Sequence, residues 1–267
     1  MSQDIISAKL DIIFKKIFSL EENEDMLHDF LSTMLDIPYD NIKRITVCNS
    51  EMLPETADGK FSRMDLKIEV DDTLVNVEMQ VSSRPDFNDR VLYYWSKMYD
   101  GELKSGEDYG ELKKCISINI VNFNISDKPS YHSHYVIKEE DTGELFSDKL
   151  SIHFFELKKI NRKINSKDRK ELWLHLINAE SEEELTMLQN TNVPVIQKAV
   201  MVIHQMSADE KMREIARMRE KALHDEASAL KGARDEGRAE GRIEVISKMK
   251  ASGMSDEQIN SILNLPL

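Results

Sequence analysis

Two short segments carry residues whose types and spacing suggest chemistry. In residues 61–70, Asp65, Lys67 and Glu69 fall on one face of an alternating strand, and Met64, Leu66, Ile68 and Val70 on the other. In residues 74–81, Asn76, Glu78 and Gln80 alternate with Val75, Val77, Met79 and Val81. Asp71-Asp72 between them is the shortest hairpin loop, and it keeps polar facing polar. Asp65 then lies opposite Glu78, and Lys67 opposite Asn76. A three-residue loop would set every polar residue against an apolar one, so the register is well specified. Direct cross-strand partners have Cβ atoms about 4.5–5.5 Å apart. Two bare carboxylates at that distance repel each other. A divalent cation between them removes the penalty and uses both as oxygen ligands. The plainer alternative is a solvated face of an antiparallel sheet.

The hairpin needs elements to hold it. Leu10, Ile13, Phe14, Ile17 and Phe18 form one helical face. Asp11 and Lys15 lie on the other side, either paired with each other or reaching the hairpin, Asp11 as an extra carboxylate. Glu51 is a similar outside candidate. Met26 to Leu35 repeats the helical pattern and ends before Pro38. A strand is expected over 42–47, a helix over 86–104, further strands over 115–123 and 151–157, and a helix from Glu171. Two helices, three strands, a helix and two strands make an α/β domain with a mixed sheet. On the helix after the hairpin, Arg90, Tyr93, Tyr94 and Tyr99 suit contact with a DNA backbone or stacked bases, or an ordinary half-buried stripe. His132, His134 and His153 lack zinc spacing. Gly106-Glu-Asp-Tyr lacks the glycines of a phosphate loop.

The whole chain sets the bounds. It has 267 residues, with 36 Lys+Arg against 49 Asp+Glu, a net charge of −13. Residues 1–160 hold 19 basic and 31 acidic side chains, and residues 161–267 hold 17 and 18. The acidity therefore gathers around the carboxylate hairpin, where a metal site needs it, and a global electrostatic grip on nucleic acid is excluded. No apolar run reaches the roughly 18 residues of a membrane span. The two cysteines, Cys48 and Cys115, suggest a reducing cytoplasmic setting with no disulfide scaffold. A boundary is expected near 160–195, giving a domain over 1–160 and a helical region over 161–267. Residues 207–250 read as one or two long charged helices. Gly232, Gly237 and Gly241 interrupt that stretch, and a short helix pair joined at Gly253 follows, capped at Ser255-Asp-Glu-Gln258.

Asp65, twelve residues, then Glu78-x-Gln80 resembles the signature of the PD-(D/E)XK nucleases. Lys9-Leu-Asp-Ile-Ile-Phe-Lys-Lys-Ile-Phe, Arg63-Met-Asp-Leu, Val77-Glu-Met-Gln, Arg90-Val-Leu-Tyr-Tyr-Trp and Phe155-Glu-Leu-Lys-Lys extend the resemblance in order along the chain. With Asp235-Glu-Gly-Arg-Ala-Glu-Gly-Arg, they resemble the recombination-promoting nuclease / putative transposase family. The resemblance implies a restriction-endonuclease-like core and Mg²⁺-dependent DNA cleavage linked to recombination, with Mn²⁺ able to substitute. It implies that Asp65 and Glu78 hold the metal. The third position is usually lysine in the superfamily; here it is Gln80, as is usual in the family. Glutamine is no general base and carries no charge to offset a pentavalent phosphate, so its expected role is to orient water. Lys67 is the expected substitute cation, with Lys60 and Lys15 as less constrained candidates for it or for DNA contact. The expected partners are DNA and, through the C-terminal helices, a second copy of the chain, with no membrane. The competing reading is an inactive member of the fold that assembles through its helical tail.

Overall fold

The computed structural model describes residues 5–48, 51–52, 62–63, 65–103, 106–161 and 163–263. It divides into two compact units, Met1–Ala216 and Arg217–Leu267.

The first unit begins with α1 (Asp11–Ser19) and α2 (Glu24–Met34). Ile13, Phe14, Ile17 and Phe18 of α1 are buried, as are Met26, Leu27, Phe30, Leu31 and Met34 of α2. Their spacing of three and four residues gives each helix one apolar face. The Phe18 and Phe30 ring centroids are 4.7 Å apart, and Trp173 sits 5.6 and 5.7 Å from them. Burying a side chain of this kind contributes about 1.5–3 kcal/mol. This aromatic group fixes α1, and with it the polar side that carries Asp11 and Lys15.

The strands follow as β1 (Ile45–Cys48), β2 (Glu51–Met52), β3 (Ser62–Arg63), β4 (Leu66–Val70), β5 (Thr73–Gln80), β6 (Lys114–Val121), β7 (His132–Lys138) and β8 (Leu145–Glu156). β2 and β3 pair with each other. The other six form one sheet in the order β1-β4-β5-β6-β8-β7. The β5–β6 and β6–β8 pairs are parallel and the rest antiparallel. The crossover from β5 to β6 runs through α3 (Phe87–Asp100), as a parallel pair requires. Phe87 and Val91 of α3 pack on Val121, Ile152 and Phe154, and Met98 packs on Leu74 and Cys115. α3 therefore lies across the sheet face that carries Leu74, Asn76 and Glu78.

The hairpin has the expected register: Leu66 pairs with Val77, Lys67 with Asn76 and Val70 with Thr73. Asp71, in the two-residue loop, takes a left-handed φ of 51°. A short polar side chain tolerates that conformation by bonding locally, and the Asp71 carboxylate accepts from the backbone N–H groups of Lys43 and Arg44. Three details differ from the sequence reading. The strand expected over 61–70 is interrupted at Asp65, a bend just before β4. The helix expected to run to 104 stops at Asp100. β7 was not foreseen, because its half-polar His132-Ser-His-Tyr-Val-Ile-Lys run lacks an apolar signal.

α4 (Arg169–Asn178), α5 (Glu182–Gln189) and α6 (Pro194–Ala208) complete the first unit. α4 and α6 pack on α2, α6 also on α1, and α5 packs on α4 and α6, so residues 160–195 lie inside this unit. α7 (Glu210–Ala251) is one 42-residue helix, continuous through Gly232, Gly237 and Gly241. In the second unit α8 (Asp256–Ile262) follows Gly253, whose φ is 88°, and Ser255 and Gln258 form the expected capping box. Among the described residues no helix is long and apolar enough to cross a membrane.

Candidate active site

The hairpin register and the bend at Asp65 bring two carboxylates onto one spot. The Asp65 Oδ2 accepts a 2.8 Å hydrogen bond from the Met79 backbone N–H. In return, the Asp65 N–H donates to Glu78 Oε1 at 3.3 Å. Asn76, two residues back on the same face of β5, donates its side-chain N–H to the same Glu78 oxygen at 3.3 Å. Glu78 is 8 % exposed.

Burial is the main reason that both carboxyls are held above the usual carboxylate range. For Asp65 the Met79 N–H opposes the rise, the Asp11 charge adds to it, and Arg90 and Lys15 oppose it. For Glu78 the Asp65 charge adds to burial, while the Asn76 bond and Arg90 oppose it. Among the described residues neither carboxylate has an ion-pair partner. Glu78, buried, and Asp65, half-buried, are hard oxygen donors that fit a divalent cation, which would cancel both their repulsion and their desolvation. A third carboxylate or imidazole does not complete the set: among the described residues no three His, Cys, Asp or Glu gather as a metal-holding group.

Around the pair stand side chains from four elements. Gln80, at the end of β5, donates its amide N–H to the Ser82 carbonyl at 3.0 Å, and its oxygen accepts from the Arg90 guanidinium. Arg90 lies one turn into α3, and its Cζ sits 5.8 Å from the ring centroid of Tyr94, a turn further on. α1 contributes the charges of Asp11 and Lys15, both of which act on Asp65. On β6, Asn119 stands beside Glu78 in the ladder and donates to Ser117 Oγ and to the His153 carbonyl. The Asn76 and Asn119 side-chain oxygens are buried and have no hydrogen-bond partner among the described residues.

The fold thus gathers Asp65, Glu78, Gln80, Arg90, Asp11 and Lys15. Lys67 pairs with Asn76 in the β4–β5 ladder. Its charge acts on Glu69 and Cys115, further along the sheet, because two residues along a strand carry the side chain some 6–7 Å on. Lys60 and the side chain of Glu51 lie outside the described residues. Asn76 and Asn119 were not singled out from sequence. The signal was there in Ser117 and Asn119, two polar residues inside an otherwise apolar strand, where a strand buried on both faces should be continuously hydrophobic. The three histidines do meet, on the face away from α3. His132 Nε2 lies 3.0 Å from His153 Nδ1, while His153 Nε2 and His134 Nε2 contact Ser151 Oγ at 3.0 and 2.8 Å.

The model of the family described as PD-(D/E)XK nuclease family transposase matches residues 8–233. That span includes the sheet, both carboxylates and the helices that frame them. The chain belongs to this family. Its mixed six-stranded sheet, flanked by helices and followed by a long C-terminal helix, is a PD-(D/E)XK α/β fold. No curated protein and no solved structure matches the chain. Membership points to nuclease-type function, and PD-(D/E)XK nucleases generally use divalent metals and act on DNA.

Proposed function

We propose that the protein is a divalent-metal-dependent DNA endonuclease, serving recombination or transposition of mobile DNA in the cytoplasm. The observation that carries this reading is the pair of a half-buried Asp65 and a buried Glu78, hydrogen-bonded within one hairpin and matched by no ion pair among the described residues. Asp65 and Glu78, with the Met79 backbone carbonyl, would hold Mg²⁺, or Mn²⁺ in its place. When bound, the ion supplies charge neutralisation at the scissile phosphate and a more acidic water. The chain's own residues do the rest. The Met79 N–H fixes one Asp65 oxygen, and Asn76 and the Asp65 N–H fix one Glu78 oxygen, which leaves each carboxylate a second oxygen for a ligand. Asp11 and Lys15 border the site from α1 and tune its charge. In the hydrolysis, water oxygen bonds to phosphorus and the bond from phosphorus to one sugar oxygen breaks. The water's proton is released, and the leaving oxygen takes one up.

A second reading, an inactive member of the fold that assembles through α7 and α8, is favoured by the engagement of both ends of the Gln80 amide. Incubating the protein with supercoiled plasmid and Mg²⁺, beside Asp65→Ala and Glu78→Ala, separates the two. The endonuclease reading expects nicking or linearisation by the parent and a loss of about 100-fold or more in each variant. Equal cutting by parent and variants would refute the site assignment, and an inert parent would favour the second reading.

A further inference from the structure

The superfamily's lysine position is occupied by Gln80, which leaves the site without its expected cation. Gln80 is itself fastened at both ends. Its N–H side is tied to the Ser82 carbonyl, and its oxygen accepts from the Arg90 guanidinium. An amide oxygen already bonded to a cation is a weaker acceptor for a water proton. Arg90, in contrast, has donors to spare. A guanidinium offers five N–H groups in a rigid fork. Among the described residues its one hydrogen bond is to Gln80, and it forms no ion pair with Asp65 or Glu78. Its charge nevertheless acts on both carboxylates. The Tyr94 ring one turn along α3 restricts its swing through a cation–π contact. The fork is therefore held beside the carboxylates, partly exposed, without being consumed by them.

We propose that Arg90 is the cation that replaces the lysine, binding the scissile phosphate directly, and that Gln80 is a positioning residue that aims the guanidinium. This rests on the endonuclease reading above. The fork suits two phosphate oxygens at once, which a lysine ammonium does not. It would offset the charge that builds on phosphorus during attack. The Lys67 charge acts on Glu69 and Cys115.

The test uses the full-length parent, Arg90→Ala, Arg90→Lys, Gln80→Ala and the double variant Gln80→Ala/Arg90→Ala. Single-turnover cleavage of a DNA duplex is measured with saturating Mn²⁺, and Mn²⁺ binding is measured separately by calorimetry without DNA. Arg90→Ala and Gln80→Ala should each slow cleavage by about 100-fold. The double variant should be no more than a few-fold slower than Arg90→Ala, because both changes remove one function. Arg90→Lys should recover only part of the rate. Arg90→Ala should bind Mn²⁺ as tightly as the parent or several-fold more tightly, since a positive charge beside the ligands is gone. A merely structural role predicts weaker metal binding, and that result would overturn the proposal. So would an Arg90→Ala variant that cuts like the parent while Gln80→Ala is dead, since Gln80 would then act on its own. A parent that neither binds Mn²⁺ nor cuts would overturn the endonuclease reading and this proposal together. A parent that cuts, with Arg90 dispensable, would overturn only the latter.

Discussion

At the scale of single residues, burial sets the charge states of the candidate site. Glu78 is buried with its folded-state pKa raised, first by burial and then by the Asp65 charge. An acid whose folded pKa lies above its unfolded value costs stability when ionised. The cost is full above the folded pKa and vanishes below the unfolded one. Glu78→Gln should therefore raise the melting temperature of the metal-free protein at neutral pH by a few degrees, about 2–4 °C for each kcal/mol. The gain should shrink as the pH falls toward 4, while cleavage is lost throughout. Thermal scans across pH check both signs; a destabilised Glu78→Gln at pH 8 would contradict the electrostatic account. The histidines run the other way. Burial lowers His132 to about 4 and His153 to about 3. The unfolded chain takes up protons at these positions below about pH 6.5, so their contribution to stability is present above that pH and is lost progressively down to about pH 3. Replacing His153 with Gln should flatten this acid limb in a urea titration. The Asp65–Glu78 pairing was legible in the sequence, because strict alternation and a two-residue loop leave one register. The placement of Arg90 beside Gln80 was not, because it depends on how the six residues from Val81 to Asp86 turn the chain back from β5 into α3.

At the scale of elements, alternation and helical periodicity located α1, α2, β5, β6 and α3 to within a few residues, since each buries a continuous apolar face. β7 escaped because its partner β8 supplies the pairing and the buried side chains. The hairpin turn is a point of leverage. Asp71→Ala removes the bonds to Lys43 and Arg44 and leaves a methyl-bearing residue at positive φ, which should cost about 1–3 kcal/mol in urea unfolding. Asp71→Asn, which keeps a local acceptor and tolerates that φ, should cost less. α7 offers the opposite sign. A Cβ at Gly232, Gly237 or Gly241 would meet nothing, so each change to Ala should stabilise the helix by about 1 kcal/mol. Slower amide hydrogen exchange along α7 is the expected readout.

At the scale of the whole molecule, a net charge of −13 leaves DNA binding to local groups and to bridging metal. Binding to a duplex should be weak and should fall steeply as salt rises from 50 to 200 mM. It should strengthen when a non-catalytic divalent ion is supplied, which fluorescence anisotropy can follow. The division of the chain was less legible than the register of its hairpin. The break in composition near residue 160 marks where the sheet ends, yet Trp173 of α4 closes the aromatic core of α1 and α2, and no composition statistic records that contact.

The central claim is that Asp65 and Glu78 together hold a divalent ion. The most direct measurement is a crystal of the protein soaked in millimolar Mn²⁺ and read by anomalous scattering. The account predicts one strong peak about 2.0–2.3 Å from an oxygen of each carboxylate. No peak there, or an Asp65 or Glu78 ion-paired with Arg90 in its place, would contradict it.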